Sequence, residues 1–455
     1  MSCHLVKPGR VVKDCHGLIL LRFCYKIFLR MLDMPTWFRP RRYLHFDEPL
    51  SLQKATALVT NPKAVAAHSF WPLIRFYVHT AKIKQDKTTR NLDWHHKDRE
   101  ISYAAHSDSL IFGFYAEELG NLYEAQLGKQ GLDDCVLAFR SLGKNNIDFA
   151  KAAFVVISAR GDCVAVALDV TKFFNTIDHA QLKHRWTRLL GAPSLPKEHY
   201  AVFKALTKFS FVDRDESFWA LGVSVHTPRS GGKHRLCSAA DFRVHVREAG
   251  LIKSNQHEHG IPQGTAISAL LSNLYMLDFD AAANDFAKCH GGRYMRYCDD
   301  ILFVMPTTLA GATESFCIAE ITNLKLAINP AKTDTCYFVK KGAVQTCKQP
   351  LQYLGFLFDG QQILIRSAAF AKFSNRMKRG VSLAKQTMRS KNKAKLATGA
   401  DEQSLYQRKI FARYSHLGQR NFLRYGYKAA RLMNSKAIRR QLRPLWGRLL
   451  KTMAK

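Results

Sequence analysis

The stretch RYMRYCDDILFV, residues 293–304, constrains the fold more than any other part of the chain. Aromatic and branched residues on both sides of Asp299 and Asp300 read as two strands, and the polar centre reads as a tight hairpin tip. Adjacent acids at a tip repel each other, so an ordinary turn would use Asn-Gly or Asp-Gly. Taken alone, such a pair is most simply two solvated turn acids. A second run, CVAVALD (Cys163–Asp169), is apolar at successive positions, the pattern of a strand buried inside a sheet, and it also ends on an acid. Set beside the hairpin tip, Asp169 and Asp299 are expected to converge from neighbouring strands. Carboxylates that close are costly unless cations sit between them. Their hard oxygens suit Mg2+, which keeps waters and takes further ligands from phosphates. Two such ions about 4 Å apart clamp the attacking and leaving oxygens of an in-line phosphoryl displacement.

The charge points the same way. Of 455 residues, 69 are Lys or Arg against 36 Asp or Glu, a net +33 that calls for a polyanion, nucleic acid being the commonest. A membrane surface is the rival, yet no apolar run approaches the roughly 20 residues needed to span a bilayer. Residues 361–455 hold 24 Lys and Arg against only Asp401 and Glu402. Aromatics such as Phe373, Tyr406, Phe411, Tyr414, Tyr425 and Trp446 are interleaved there, and SLYQRKIFARYSHL has apolar residues at helical spacing. A solvated helix face normally mixes both signs, so the one-signed excess favours backbone binding of nucleic acid. The 11 cysteines include no C-x-x-C pair and read as a reduced, intracellular set. Neither His257-Glu258-His259 nor His95-His96 has zinc-ligand spacing. The polar stretch 389–404 is the best linker candidate. Residues 1–33 carry no motif and are expected to be an upstream extension that need not belong to the natural product.

LDVTKFF, GIPQGTAISALLSNLYM, RYCDD, INPAKTD and LQYLGFLF occur in that order between residues 163 and 358, and in this order they resemble the motifs of reverse transcriptases. The resemblance implies an α+β fold of right-hand polymerase type: fingers, a palm with an antiparallel sheet, and a helical thumb. Residues 34–160 would then form an N-terminal helical segment and fingers, 161–360 the palm with a fingers insertion at about 185–255, and 361–455 the basic thumb. Asp169 and Asp299 match the family's metal-binding acids, and Asp300 the second acid of the tip, for a site that uses two Mg2+ ions. Phe174 matches the aromatic gate that excludes a 2′-hydroxyl; one of Phe173 and Phe174 is expected in the core, since consecutive strand side chains face opposite ways. Gln263 and Gly264 match the motif that positions nucleotide and template. Lys332 resembles the lysine proposed as general acid for pyrophosphate, with a surface lysine that neutralises phosphate an equal alternative. Tyr353, Leu354 and Gly355 match the primer grip. More loosely, Arg99 and Lys97 would hold the triphosphate of the incoming deoxynucleotide. Arg140 would lie near template or nucleotide, with a structural ion pair nearly as plausible.

RPRRYLHFDEPLS and the block from ADFRVHVREAGLI to the HGIPQG motif further resemble bacterial defence-associated reverse transcriptases of the "unknown group" class, most closely the single-protein type 2 antiphage systems. That implies a cytoplasmic bacterial nucleotidyltransferase that copies a partner noncoding RNA into cDNA from dNTPs, with no membrane and with protein partners unknown. A retron-type reverse transcriptase fits the length as well. An RNA-dependent RNA polymerase would more usually carry Gly-Asp-Asp and a smaller gate residue. A non-catalytic RNA-binding protein would account for the basic region but leaves the three acids unexplained.

Overall fold

The computed structural model describes residues 34–85, 92–229 and 232–454, with the backbone alone over 81–85 and 92–97. The extension 1–33 lies outside the described residues. The chain forms two compact units: residues 34–121, 194–256 and 262–267 make the first, and 122–193, 257–261 and 268–454 the second.

In the first unit a four-stranded sheet runs in the order Leu92–Tyr103, Leu73–Gln85, Ser210–Asp213, Lys253–Ser254. The long hairpin is antiparallel with Ile74 opposite Tyr103, and Ser210–Asp213 joins parallel with Phe211 opposite Leu73. Ile74, Val212, Leu44, Phe46, Phe218 and Phe242 share its core. The stretch RPRRYLHFDEP is part of this unit's frame. The Asp47 carboxylate accepts the backbone N–H groups of His106 and Ser107, each at 2.8 Å. It thereby satisfies donors that the start of helix His106–Gln130 would otherwise leave open.

The second unit is built on a five-stranded antiparallel sheet ordered Arg293–Tyr297, Asp300–Met305, Cys163–Asp169, Asp334–Lys341, Val344–Cys347. Cys163–Asp169 lies at the centre, as its apolar run requires: Cys163, Val164, Ala165 and Val166 have no exposed surface. Helix Asn146–Arg160 begins at a capping box between Asn145 and Asp148. Its Phe149, Phe154 and Ile157 enter the core of the sheet. The same core continues through a small sheet (Leu351–Tyr353, Phe356–Phe358, Ile363–Ile365) to Phe373, Leu423, Leu442 and Leu449.

These units divide the chain elsewhere than at the expected boundaries of 160 and 360. Residues 122–160 belong with the sheet because their helix buries its apolar side there, and the C-terminal helices share that core instead of forming their own. Residues 194–256, close to the expected insertion, fall in the first unit.

Helix Ser367–Leu396 corrects the expected linker at 389–404. The Lys, Ala and Leu residues of KNKAKL are good helix formers and carry the helix into that stretch. Beyond it, the buried Asn392 side chain clasps the backbone of Gln403, donating to its carbonyl at 3.0 Å and accepting its N–H at 2.9 Å. Phe373 stacks on Phe422 at 5.0 Å and Phe411 tilts against Trp446 at 5.6 Å, so these aromatics pack the interior. Arg376, Lys378 and Arg379 are exposed. No helix among the described residues is long and apolar enough to cross a membrane.

Candidate active site

The acids are delivered by the register of three strands. In the antiparallel pairing of Cys163–Asp169 with Asp300–Met305, Val166 opposes Phe303 and Asp169 opposes Asp300. Directly opposed residues lie on one face of a sheet. Asp300, not Asp299, is therefore the cross-strand neighbour of Asp169. The reason is the length of the turn: Cys298 and Asp299 form it, and the strand resumes at Asp300. Asp299 lies between, its carbonyl accepting the Val170 N–H at 3.3 Å.

Cys298 takes the left-handed conformation (φ 60°), which side chains rarely adopt without outside support. That support is Arg296, whose Nη1 donates to the Cys298 carbonyl at 3.0 Å. Arg296 and Asp280 are both fully buried and joined by two hydrogen bonds of 2.6 Å, while the Tyr294 hydroxyl donates to the same carboxylate at 2.6 Å. A buried charge pair with its lone pairs filled is costly to break from one side. It holds the acid hairpin by its base.

Burial pushes the Asp300 carboxyl up to about 7, the charges of Asp299 and Asp169 add to this, and Lys332 and Arg366 oppose it. Lys332 comes from the turn Pro330–Lys332 and forms an ion pair with Asp169. The turn is held there because Asn329 N–H donates to the Asp169 carbonyl at 2.8 Å. Among the described residues, no group of three or more His, Cys, Asp or Glu could hold a metal ion by itself. Two opposed carboxylates with a crowded negative charge still suit a divalent cation that completes its shell from phosphates and water.

Asp169, Asp300 and Lys332 line a cavity of about 560 Å³ together with Tyr353, Leu354 and Gly355. Those last three residues occupy the tip of the hairpin Leu351–Tyr353/Phe356–Phe358. Leu354 (φ 46°) and Gly355 (φ 92°) both have positive φ, and a Cβ on Gly355 would meet nothing within 4 Å. Backbone conformation, not crowding, asks for glycine here. Asn146 steadies the tip, donating to the Leu354 carbonyl at 3.1 Å and to the Tyr425 hydroxyl at 2.9 Å.

Phe174 lies outside the lining of that cavity. It is half-buried, while Phe173 is 3% exposed. One of the two is in the core as expected, though not by strand alternation. The chain turns through Lys172 (φ 46°) into the short helix Phe173–Thr176. Arg140 takes the structural alternative. Its side chain is 2% exposed, with Nη2 at 2.7 Å from Glu124 and 2.9 Å from Asp133, and Nη1 at 2.7 Å from the Asp133 carbonyl. Those donors are committed to the protein.

Arg99, Lys97, Gln263 and Gly264 belong to the first unit. Arg99 is an exposed residue of strand Leu92–Tyr103, opposite Val78. The Lys97 backbone pairs with Thr80, and its side chain lies outside the described residues. The Gln263 carbonyl accepts the Ser102 N–H at 2.8 Å. Gly264 has φ 118° and a Cβ there would come within 2.6 Å of the Ser102 carbonyl. Close approach to the neighbouring strand demands glycine at 264. Sequence reasoning assigned no role to Asn146, Asp280, Arg296 or Arg366. An arginine inside an otherwise apolar strand was the one available signal, since Arg296 needs a buried partner; nothing local marks the other three.

The family model described as reverse transcriptase (RNA-dependent DNA polymerase) matches residues 136–358. No curated protein matches the chain. Among solved structures it is similar to apo telomerase from Candida tropicalis truncated from its C-terminal domain, at 8% identity over 65% of this chain and 57% of that one, with a TM-score of 0.39. The apo telomerase from Candida tropicalis gives 8% identity, 81% and 64% coverage and a TM-score of 0.41. The Candida albicans telomerase in complex with a TWJ fragment of telomeric RNA gives 10% identity, 96% and 70% coverage and a TM-score of 0.36. The chain thus spans 57% and 64% of the first two, and likenesses this weak carry no functional argument. The matched stretch does: residues 136–358 form the domain of an RNA-directed DNA polymerase, and their α+β construction is consistent with a right-hand polymerase fold.

Proposed function

We propose that this protein is an RNA-directed DNA polymerase whose chemistry takes place at Asp169 and Asp300. The observation that carries the reading is their direct opposition at the mouth of a cavity that also holds Lys332 and the 353–355 turn, inside the matched domain. Asp169 and Asp300, with Asp299 beside them, would hold Mg2+, whose charge stabilises the phosphoryl group in transfer. Lys332 keeps its proton at Nζ against Asp169 and can present it to the leaving pyrophosphate. The turn Tyr353–Gly355 offers open backbone to the 3′ end of the growing strand. Phe174 acts as the sugar gate. Arg99, Lys97 and Gln263 serve the incoming triphosphate and its template base, with Gly264 allowing the close packing that places Gln263.

The template is a noncoding RNA and the biological role is defence against phage in the bacterial cytoplasm; the basic C-terminal helices supply affinity for the RNA backbone. The test is extension of a DNA primer on RNA by purified protein with Mg2+ and dNTPs, beside Asp169→Asn and Asp300→Asn variants. Extension by wild type alone supports the reading. RNA binding without extension under any divalent cation would leave a non-catalytic RNA-binding protein. Sequencing of co-purifying nucleic acid then identifies the template, and a covalently linked DNA–RNA product would instead indicate the retron-type enzyme.

A further inference from the structure

The cavity that holds the two acids has unsatisfied donors in its wall. Arg366 Nε and Tyr353 Oη are buried without a hydrogen-bond partner, and both residues line the cavity. A buried guanidinium N–H left unpaired is expensive, because its hydration is removed and not replaced. The two cations of the cavity differ in this respect. Lys332 is paired with Asp169, whereas Arg366 forms no ion pair among the described residues.

Arg366 is also fixed in place. Its backbone N–H donates to the Gly355 carbonyl at 3.2 Å, so the side chain springs from the same turn that is offered to the strand terminus. The residue is half-buried, with part of the guanidinium sealed and part open. A planar fork of this kind recognises anions that present two oxygens, and a phosphodiester taken side-on by Nε and one Nη would satisfy it. A carboxylate partner is already absent, and the acids of the cavity are needed for cation binding. The incoming triphosphate is the less suitable anion, since Arg366 is tied to the 355 turn and not to the Pro330–Lys332 turn beside Asp169.

Resting on the polymerase reading above, we infer that Arg366 binds the backbone phosphate nearest the 3′ end of the strand being extended. It is thereby a positioning residue for that terminus that none of the ordered sequence motifs contains.

The probe is a DNA primer annealed to an RNA template, either unmodified or carrying one neutral methylphosphonate at its 3′-terminal linkage. Affinity is read by fluorescence anisotropy without dNTPs. For wild type, the methylphosphonate should weaken binding about tenfold, the value of one charge-assisted hydrogen bond. Arg366→Gln should weaken the unmodified duplex to a similar extent and show no further weakening with the methylphosphonate. Affinity for the single-stranded RNA and the KM for dNTPs should not move. Arg366→Lys, which keeps the charge and guards against a folding artefact, should recover part of the affinity but not the full methylphosphonate effect. Two results overturn the assignment: a methylphosphonate penalty undiminished in Arg366→Gln, or a raised dNTP KM with unchanged duplex affinity. If wild type neither binds nor extends the primed template, the polymerase reading itself fails; if it extends normally and the two penalties simply add, only the role of Arg366 falls.

Discussion

Asp169 and Asp300 face each other across adjacent antiparallel strands, yet only Asp169 has a cation paired to it. Asp300 is left with burial and two like charges, which together hold its carboxyl near 7. A fold that concentrates negative charge this way is less stable for it, and the arrangement makes sense where a cation and a phosphate chain arrive together.

Removing that charge should therefore separate stability from activity. Asp300→Asn, in the absence of divalent cation at neutral or higher pH, should unfold at the wild-type temperature or above it, by roughly 2–4 °C for each kcal/mol relieved. DNA synthesis should fall at least about a hundredfold. Thermal unfolding and primer extension on one preparation decide the matter. A variant that keeps its synthesis would remove Asp300 from the reaction.

Phe174 and Phe173 should behave in opposite ways. Phe174→Val, at a half-buried position, should admit ribonucleotides while leaving the fold intact. Phe173→Ala empties a core site and should cost about 3–5 kcal/mol of stability. Competition between ribonucleotides and deoxynucleotides measures the first effect and denaturant unfolding the second. Unchanged discrimination in Phe174→Val would mean the sugar is sensed elsewhere.

His45 predicts a pH dependence of stability. It is completely buried, its Nδ1 accepts the Phe46 N–H at 2.9 Å, and burial pushes its pKa down from 6.5 to about 3, with His106 adding and Asp47 opposing. The folded state thus holds a neutral ring. Its contribution is complete above the unfolded value of 6.5 and is lost as pH falls from there toward 3. The slope for one such group is about 1.4 kcal/mol per pH unit. His45→Asn, which keeps an acceptor for the Phe46 N–H, should flatten the slope across that window, with the residual part owed to His106. Denaturant unfolding of the full chain at a series of pH values tests this; identical slopes would show that His45 is not the titrating group.

The exposed cluster Arg376, Lys378 and Arg379 should act on affinity and not on chemistry. Each phosphate no longer neutralised should lower the slope of log affinity against log salt by about 0.7–0.9, so the triple alanine variant should drop by roughly two units. Products on a long RNA should shorten while single-nucleotide addition at saturating template survives. Equal slopes and equal product lengths would turn attention to Arg420, Arg424 and Lys428.

The sequence alone determined what is local or periodic. The apolar run Cys163–Val166 could only be a central strand, and the beta-forming residues around Asp299 and Asp300 could only be a hairpin, because side-chain periodicity reports burial directly. The order of the five motifs then identified the domain. Tertiary structure decided which acid opposes Asp169, since that depends on a two-residue turn stabilised by an Arg296–Asp280 pair 16 residues apart in sequence. It also turned Arg140 into a structural residue, through Glu124, again 16 residues away. The long helix runs to Leu396 in a stretch that reads as linker, with a side chain, Asn392, to clasp the backbone 11 residues on. Arg366 had no signal at all: its meaning lies in an unfilled hydrogen bond beside a cavity. Pattern fixes which residues are buried and in what element; register, and the donors left over once every partner is chosen, follow from the whole chain closing on itself.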